Sequence, residues 1–411
     1  MQRLRPQAGR LIALAAAALA STTVFAKAEW TIMYYWAGDN DLEEPMMEDI
    51  KELMKTGSSE DVELIVLFDR AEGYDRGSLG GIRNWTSTKW LRVENGRLEE
   101  LEDWGERDTA DPETLFEFMD RTAERFPANR YKLVMNDHGA AWQNAFYDEG
   151  GRRTSTMSTL EIQEALTQFR DKHQRLDILS FDACLMACVE TSYAFRDLAE
   201  YIIASQEELP LFGYEYTNSM KDWIGNPRRS TEELATRFVR YTNEFYTKNG
   251  GDEAIEVGVD TTISLVRSSA MSELRSSIMA MARHFDEFGK SGEGLTKLKL
   301  IVGRVGRFGG DEPGSETGQV DLGQIATLLK QNPLNSDSVA IADAVLKNLD
   351  STVIASLNGP VHGEATGLSV FWPRSNQYLT GSNRYSSAYF NKDDSAWSDF
   401  VTAFVRLLRR R

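Results

Sequence analysis

The chain has 411 residues, with 63 acidic and 46 basic side chains and a formal net charge of −17, which argues against a nucleic-acid backbone as its main partner. Only two cysteines are present, Cys184 and Cys188, so disulfides do not hold the fold together. The length is enough to bury a large core and exceeds one typical domain.

Residues 1–26 carry Arg3, Arg5 and Arg10, an apolar run over 11–19, and then Val24-Phe25-Ala26. This is the pattern of a cleaved export signal. The apolar run is too short for a permanent membrane helix, and no later segment reaches about 18 uninterrupted apolar residues. The expectation is an exported chain, periplasmic or secreted, with no permanent span. Loss of three arginines and no acids takes the net charge to near −20.

From residue 27 onward, short β-rich runs alternate with helical periodicity. Residues 30–36 read as a strand, and Asn40 and Glu43 as a capping box for a helix to Met54. A second strand covers 63–69. Gly80-Gly81 marks a turn into an antiparallel strand over 82–93 that carries Trp85 and Trp90. Asp111-Pro112 opens a helix with Leu115, Met119, Ala123 and Phe126 on one face. A strand follows at 131–136, then a helix capped by Ser158 and Glu161, then strands at 176–182 and 201–205. Ser230 and Glu233 start a further helix. The alternation predicts an α/β fold in which a mostly parallel sheet is flanked by helices on both faces.

Beyond residue 255 the helices lengthen, with Leu274, Ile278, Met281 and Phe285 sharing one face. Residues 303–318 are glycine-rich and read as a loop, and 367–372 as one more strand. The expected organisation is a core over 27–255 and a helical C-terminal extension over 256–411 that packs on it and adds at least one strand.

Two consecutive predicted strands end in reactive side chains. The strand at 131–136 runs into Asp137-His138-Gly139, and the strand at 176–182 runs into Ala183-Cys184. In an open α/β sheet the carboxyl ends of the strands are where functional groups collect. If the two strands are neighbours, about 4.8 Å apart, His138 and Cys184 face one another. A thiol needs a nearby base to become the attacking thiolate, and an imidazole supplies it and later protonates a leaving amine. The N–H groups of Gly139 and Cys184 are the candidate oxyanion hole. The sequence names no third catalytic group, and Asp137 is not assigned that role. A structural reading stands beside this one, because buried cysteines at strand ends are common.

Other signals are weaker. Residues 39–44 carry a run of acids, but the glycine and terminal glutamate of an EF-hand are absent at the required offsets. The four histidines have no zinc-site spacing, so no metal ligands are assigned. His362-Gly363 competes for the role of base but follows no clear strand, and His173 and His284 fall in helical segments.

Asn136-Asp137-His138-Gly139, Phe181-Asp182-Ala183-Cys184-Leu185-Met186 and Ala204-Ser205-Gln206-Glu207-Glu208 resemble motifs of the clostripain-like cysteine peptidases, family C11 of clan CD. Segments 36–43 and 367–373 are also similar to that family. The resemblance implies a caspase-like fold, a dyad of His138 and Cys184, and protein or peptide substrates cut after arginine or lysine. It implies self-cleavage between the two catalytic strands, where Gly150-Gly151-Arg152-Arg153 offers Arg152 and Arg153. It requires no cofactor from the sequence and allows calcium. A basic substrate side chain needs a buried carboxylate. Asp182, two residues before the nucleophile on the same side of its strand, leads, with Glu207 and Glu208 at the next strand end. Phe212 stands where some basic-specific relatives carry an acid, which bears on the pocket. The rival reading is a non-catalytic envelope or surface binding protein with the same fold. A third is an acyltransferase using the same dyad.

Overall fold

The computed structural model of the chain describes residues 27–150, 154–310, 317–374 and 385–409. The predicted export segment and Arg152 and Arg153 lie outside the described residues. In chain order the strands are β1 (Ala28–Gly38), β2 (Val62–Arg70), β3 (Thr88–Glu94), β4 (Arg97–Asp103), β5 (Ala128–Asn136), β6 (Asn144–Asp148), β7 (Ser155–Ser158), β8 (Leu176–Asp182), β9 (Ala199–Ala204), β10 (Thr262–Arg267), β11 (Arg307–Phe308), β12 (Gln319–Asp321), β13 (Val353–Asn358) and β14 (Ser369–Phe371).

Nine of these strands form one sheet in the order β13-β10-β9-β8-β5-β1-β2-β3-β4. The five central strands, β9, β8, β5, β1 and β2, run parallel. Antiparallel pairs close both edges: β3 and β4 on one side, β10 and β13 on the other. β1 and β2 are buried along almost their whole length, as expected for strands covered on both faces.

Helices cover the two faces unequally. On one face α1 (Glu43–Met54) packs Met46, Ile50 and Leu53 against Trp30, Ile32 and Tyr34 of β1. The helices Thr217–Gly225 and Thr231–Glu244 complete that layer through Trp223 and Phe238. The other face is covered by Pro112–Arg125 and Thr159–Lys172 and by the long helices after residue 270. Asp111 caps the first of these through Glu113 N–H, and Ser158 and Glu161 form the reciprocal capping box of the second. Trp372 anchors the C-terminal helices, with Phe285, Trp397, Phe400 and Phe404 around its ring. Its truncation to alanine is expected to cost roughly 3–5 kcal/mol.

Four local expectations are corrected. The strand expected over 82–93 begins only at Thr88 and pairs with β4, which was not anticipated. The turn expected at Gly80-Gly81 is present over residues 79–82, but Trp85 lies outside the ladder, packed edge-on against Phe68 and under Arg70. Asn40 and Glu43 do not form a capping box, because α1 has no side-chain N-cap. Their polar atoms are used elsewhere: Glu43 pairs with fully buried Arg70, and Asn40 Nδ2 lies 2.9 Å from Asp137 Oδ1. The predicted loop at 303–318 contains β11 and the end of a helix, and β14 joins β11 and β12 in a separate three-stranded sheet instead of the main one.

Candidate active site

β5 and β8 are adjacent and parallel, with Asn136 opposite Asp182. Two residues beyond this pair on each strand stand His138 and Cys184. Both line one cavity of about 180 Å³, together with Asp49, Asp182, Glu208 and Leu209. The cavity opens at the carboxyl end of the sheet, as the strand order requires.

The turn bearing Cys184 is tightly constrained. Leu185 adopts φ 67°, which is uncommon for a residue with a branched side chain, and its N–H donates to Glu207 O at 3.2 Å. The chain therefore reverses directly after Cys184. Gly139 lies against this turn, and a Cβ there would come within 2.2 Å of the Cys184 carbonyl oxygen. Only glycine permits that approach. Gly139 also opposes Ala145 in an isolated bridge whose hydrogen bonds are made by its neighbours: Ala140 N–H donates to Asn144 O and Phe146 N–H to His138 O. The bridge therefore leaves the Gly139 N–H unused.

His138 is held by two acids of different kinds. Asp137 is buried and accepts from the N–H of His138 and of Tyr147 and from the Asn40 amide, which fixes the backbone. Burial raises its carboxyl well above the ordinary range. Asp41 is exposed and lies 2.8 Å from His138 Nε2 through Oδ1. Tyr147 packs edge-on against the imidazole. Among the described residues no hydrogen bond joins His138 to Cys184.

Cys184 is mostly buried, and desolvation pushes its thiol up to about 11, with Glu208, Glu207 and Asp182 adding to the rise. The Leu209 N–H opposes this by donating to the sulfur. Cys184 and Cys188 are both free thiols, and Cys188 is fully buried with Sγ 3.1 Å from Thr191 Oγ1.

The floor of the cavity is a buried acidic pair. Asp182 accepts from Tyr216 Oη at 2.6 Å and Tyr214 N–H at 3.1 Å, and burial raises it to about 6. Asp49, reaching in from α1 and bonded to Asn136 Nδ2 at 3.3 Å, is raised well above the ordinary range by burial and by Asp182 beside it. Lys132 lies under the same floor, 3.5 Å from the Phe238 ring centre, and burial lowers it to about 7.

The two glutamates expected beside the substrate part company. Glu208 lines the cavity. Glu207 turns away: its carboxylate accepts from Gly309 N–H at 2.8 Å and Glu208 N–H at 2.9 Å and meets His362 Nε2 at 3.2 Å. Phe212 also faces away, stacking edge-on with Phe245 along a larger adjoining groove of about 1000 Å³. Asp41 and Asp49 were not picked out from the sequence. Asp41 lay in the acidic run over 39–44, of which only Asn40 and Glu43 were read as a cap, and Asp49 is an acid on the buried face of α1, which is the available signal.

The fold matches solved structures. A secreted C11 cysteine protease from Bacteroides thetaiotaomicron, in complex with an irreversible peptide inhibitor, aligns over 90% of this chain and 99% of its own at TM-score 0.67 and 19% identity. An inactive zymogen C11 protease from Parabacteroides distasonis aligns over 92% and 99% at TM-score 0.63 and 20% identity. At these identities the likeness is one of fold, and it makes the sheet caspase-like as expected. In sequence, 220 residues are 30% identical to clostripain of Hathewaya histolytica, covering 45% of this chain and 40% of that protein, so less than half of that relative is matched. The sequence pattern of the Clostripain family, peptidase family C11, matches residues 34–408, nearly the whole described chain, and the chain belongs to that family.

Proposed function

We propose that the chain is an exported cysteine endopeptidase in which Cys184 attacks the peptide carbonyl and His138 moves the proton. The observation that carries this reading is the shared cavity of His138 and Cys184 at adjacent strand ends, with the Gly139 backbone against the nucleophile's own. A thiol near 11 is almost wholly protonated at neutral pH, so the cysteine does not rest as a thiolate. The base must act during attack. Asp41 on Nε2 keeps that nitrogen protonated and leaves the Nδ1 lone pair for the thiol.

The steps then balance. The Cys184 S–H proton passes to His138 as the sulfur–carbon bond forms, and the oxyanion is met by the N–H groups of Gly139 and Cys184. The carbon–nitrogen bond breaks as His138 gives its proton to the leaving amine. Water, deprotonated by His138, then releases the acyl group from sulfur and restores the thiol.

Arginine or lysine is the side chain best suited to the cavity, because Asp182, Asp49 and Glu208 line it. Self-cleavage at Arg152 or Arg153 is part of the same reading. The described chain reaches Gly150, beside Asp39, and resumes at Thr154, and the Parabacteroides neighbour is an inactive zymogen. The test is turnover of arginyl and lysyl fluorogenic peptides by the mature chain, beside Cys184→Ala. Cleavage by the first alone is expected. Absence of turnover together with absence of thiol labelling by a peptide electrophile would leave the non-catalytic binding reading in its place.

A further inference from the structure

We propose that the groove beside the catalytic cavity binds cationic peptide chains that carry aromatic or aliphatic residues, and that it selects such peptides as substrates. The proposal rests on the peptidase reading for what is done to the bound chain, while the binding itself needs no turnover. The groove, of about 1000 Å³, and the catalytic cavity, of about 180 Å³, share Pro45, Asp49, Glu208, Leu209, Pro210 and Leu211. They form one continuous depression. The cavity has room for a single side chain, and the groove for several residues of the chain that delivers it.

The first observation is apolar surface. Nine large apolar side chains are exposed among the described residues, and three of them, Leu211, Phe212 and Val257, meet in this groove. Scattered singly, such residues carry no message; gathered in a concave patch rimmed by charge, they mark a surface that another chain covers. Phe245 extends the patch, with its ring centre 5.9 Å from that of Phe212. It opens the π-turn Phe245–Asn249, which follows directly on the helix Thr231–Glu244 and is closed by Gly250 N–H donating to Phe245 O at 2.9 Å. Single π-turns of this kind recur at functional sites.

The second observation is charge. Eight acids line the groove against two lysines. Glu44, Glu48 and Glu52 recur every fourth residue along α1 and share its face toward the groove. Lys51 pairs with Glu48 at 2.5 Å and Lys55 with Glu52 at 3.6 Å, which uses both lysines. Asp41 is taken by His138, Asp49 is buried, and Glu215 accepts from the N–H groups of Asn218 and Ser219. Among the described residues Glu44, Glu208 and Glu253 are exposed and have no cationic partner.

The occupant must answer both features. Another copy of this chain, with a net charge of −17, does not supply the cations, and neither does an anionic lipid surface. A peptide with lysines or arginines among aromatic or aliphatic residues supplies both: its apolar side chains cover Leu211, Phe212 and Val257, and its cations meet the free glutamates on the rim. Phe212, Phe245, Glu253 and Val257 line the groove and not the catalytic cavity, so substitutions there report on the groove alone.

Fluorescence anisotropy with the mature chain carrying Cys184→Ala tests this without turnover. Three labelled peptides of equal length share one central arginine: the first is flanked by lysines and phenylalanines, the second has the lysines replaced by glutamine, and the third has the phenylalanines replaced by serine. The first is expected to bind about tenfold tighter than either of the others. Phe212→Ser and Glu253→Lys, both at exposed positions, should each weaken its binding about fivefold or more, with circular dichroism unchanged. Equal affinity for the three peptides, or a preference that both substitutions leave intact, overturns the proposal. A first peptide that binds as expected but is left uncut by the chain with Cys184 intact upholds the groove and removes the peptidase reading.

Discussion

His138 Nε2 lies 2.8 Å from Asp41 Oδ1, across 97 residues of sequence, and in the proposed mechanism this contact leaves Nδ1 for the Cys184 thiol. The pair is exposed, so it contributes little to stability. Asp41→Asn is therefore expected to leave the melting temperature nearly unchanged while lowering kcat roughly tenfold, with KM barely altered. Steady-state kinetics with a split of kcat from KM checks this. An unchanged kcat would remove Asp41 from the mechanism and leave the dyad intact.

Gly139 is predicted to be intolerant of any side chain. The added methyl of Gly139→Ala meets the Cys184 carbonyl oxygen at 2.2 Å, so the turn carrying Cys184 must shift. Loss of one oxyanion donor costs about 10²–10³ in kcat. A loss of at least that size is expected in a variant that circular dichroism shows to be folded. Wild-type turnover by Gly139→Ala would place the oxyanion elsewhere.

Asp182 sets a pH dependence with a defined sign. Its carboxyl is raised to about 6, so it is neutral below that pH and charged above it. For a peptide with arginine at the cleavage site, kcat/KM should rise as pH climbs from 5 through 6, and Asp182→Asn should flatten that limb and reduce the plateau about 10- to 100-fold. Stability runs the opposite way. A raised folded pKa gives a contribution present below the ordinary carboxylate value of 3.8 and lost as pH rises through about 6, so Asp182→Asn should narrow the difference in melting temperature between pH 4 and pH 7.

Glu207 and Glu208 should separate cleanly. Glu208 lines the cavity, so Glu208→Gln is expected to raise KM for basic peptides several-fold with little change in melting temperature. Glu207 holds Gly309 N–H and His362, so Glu207→Gln is expected to cost stability, on the order of 1–3 kcal/mol, with a smaller effect on KM. Parallel denaturation and kinetics on the two variants distinguish the roles, and identical behaviour would contradict the geometry.

What the sequence displayed was the part governed by local rules. The strand periods of β5 and β8, the caps at Asp111 and Ser158, and the His-Gly and Asp-Ala-Cys ends are short-range patterns, and the parallel pairing that joins them follows from the alternation of strands and helices. The partners that arrive from distant segments were hidden. Asn40 read as a helix-start residue and Asp41 only as part of an acidic run, yet their side chains serve the 137–147 loop. Asp49 looked like an ordinary polar position of α1 until the cavity floor formed around it. Glu207 and Glu208 are neighbours with the same chemistry, and only the tertiary contacts of Gly309 and His362 decide which one faces the site.

The central claim is tested most directly by reacting the mature chain with an arginyl peptide bearing a thiol-reactive electrophile and mapping the adduct by mass spectrometry. The account predicts one adduct on Cys184, none on fully buried Cys188, strong slowing in His138→Ala, and loss of peptide turnover in proportion to labelling. Full turnover with Cys184 unlabelled, or undiminished turnover in Cys184→Ala, would contradict it.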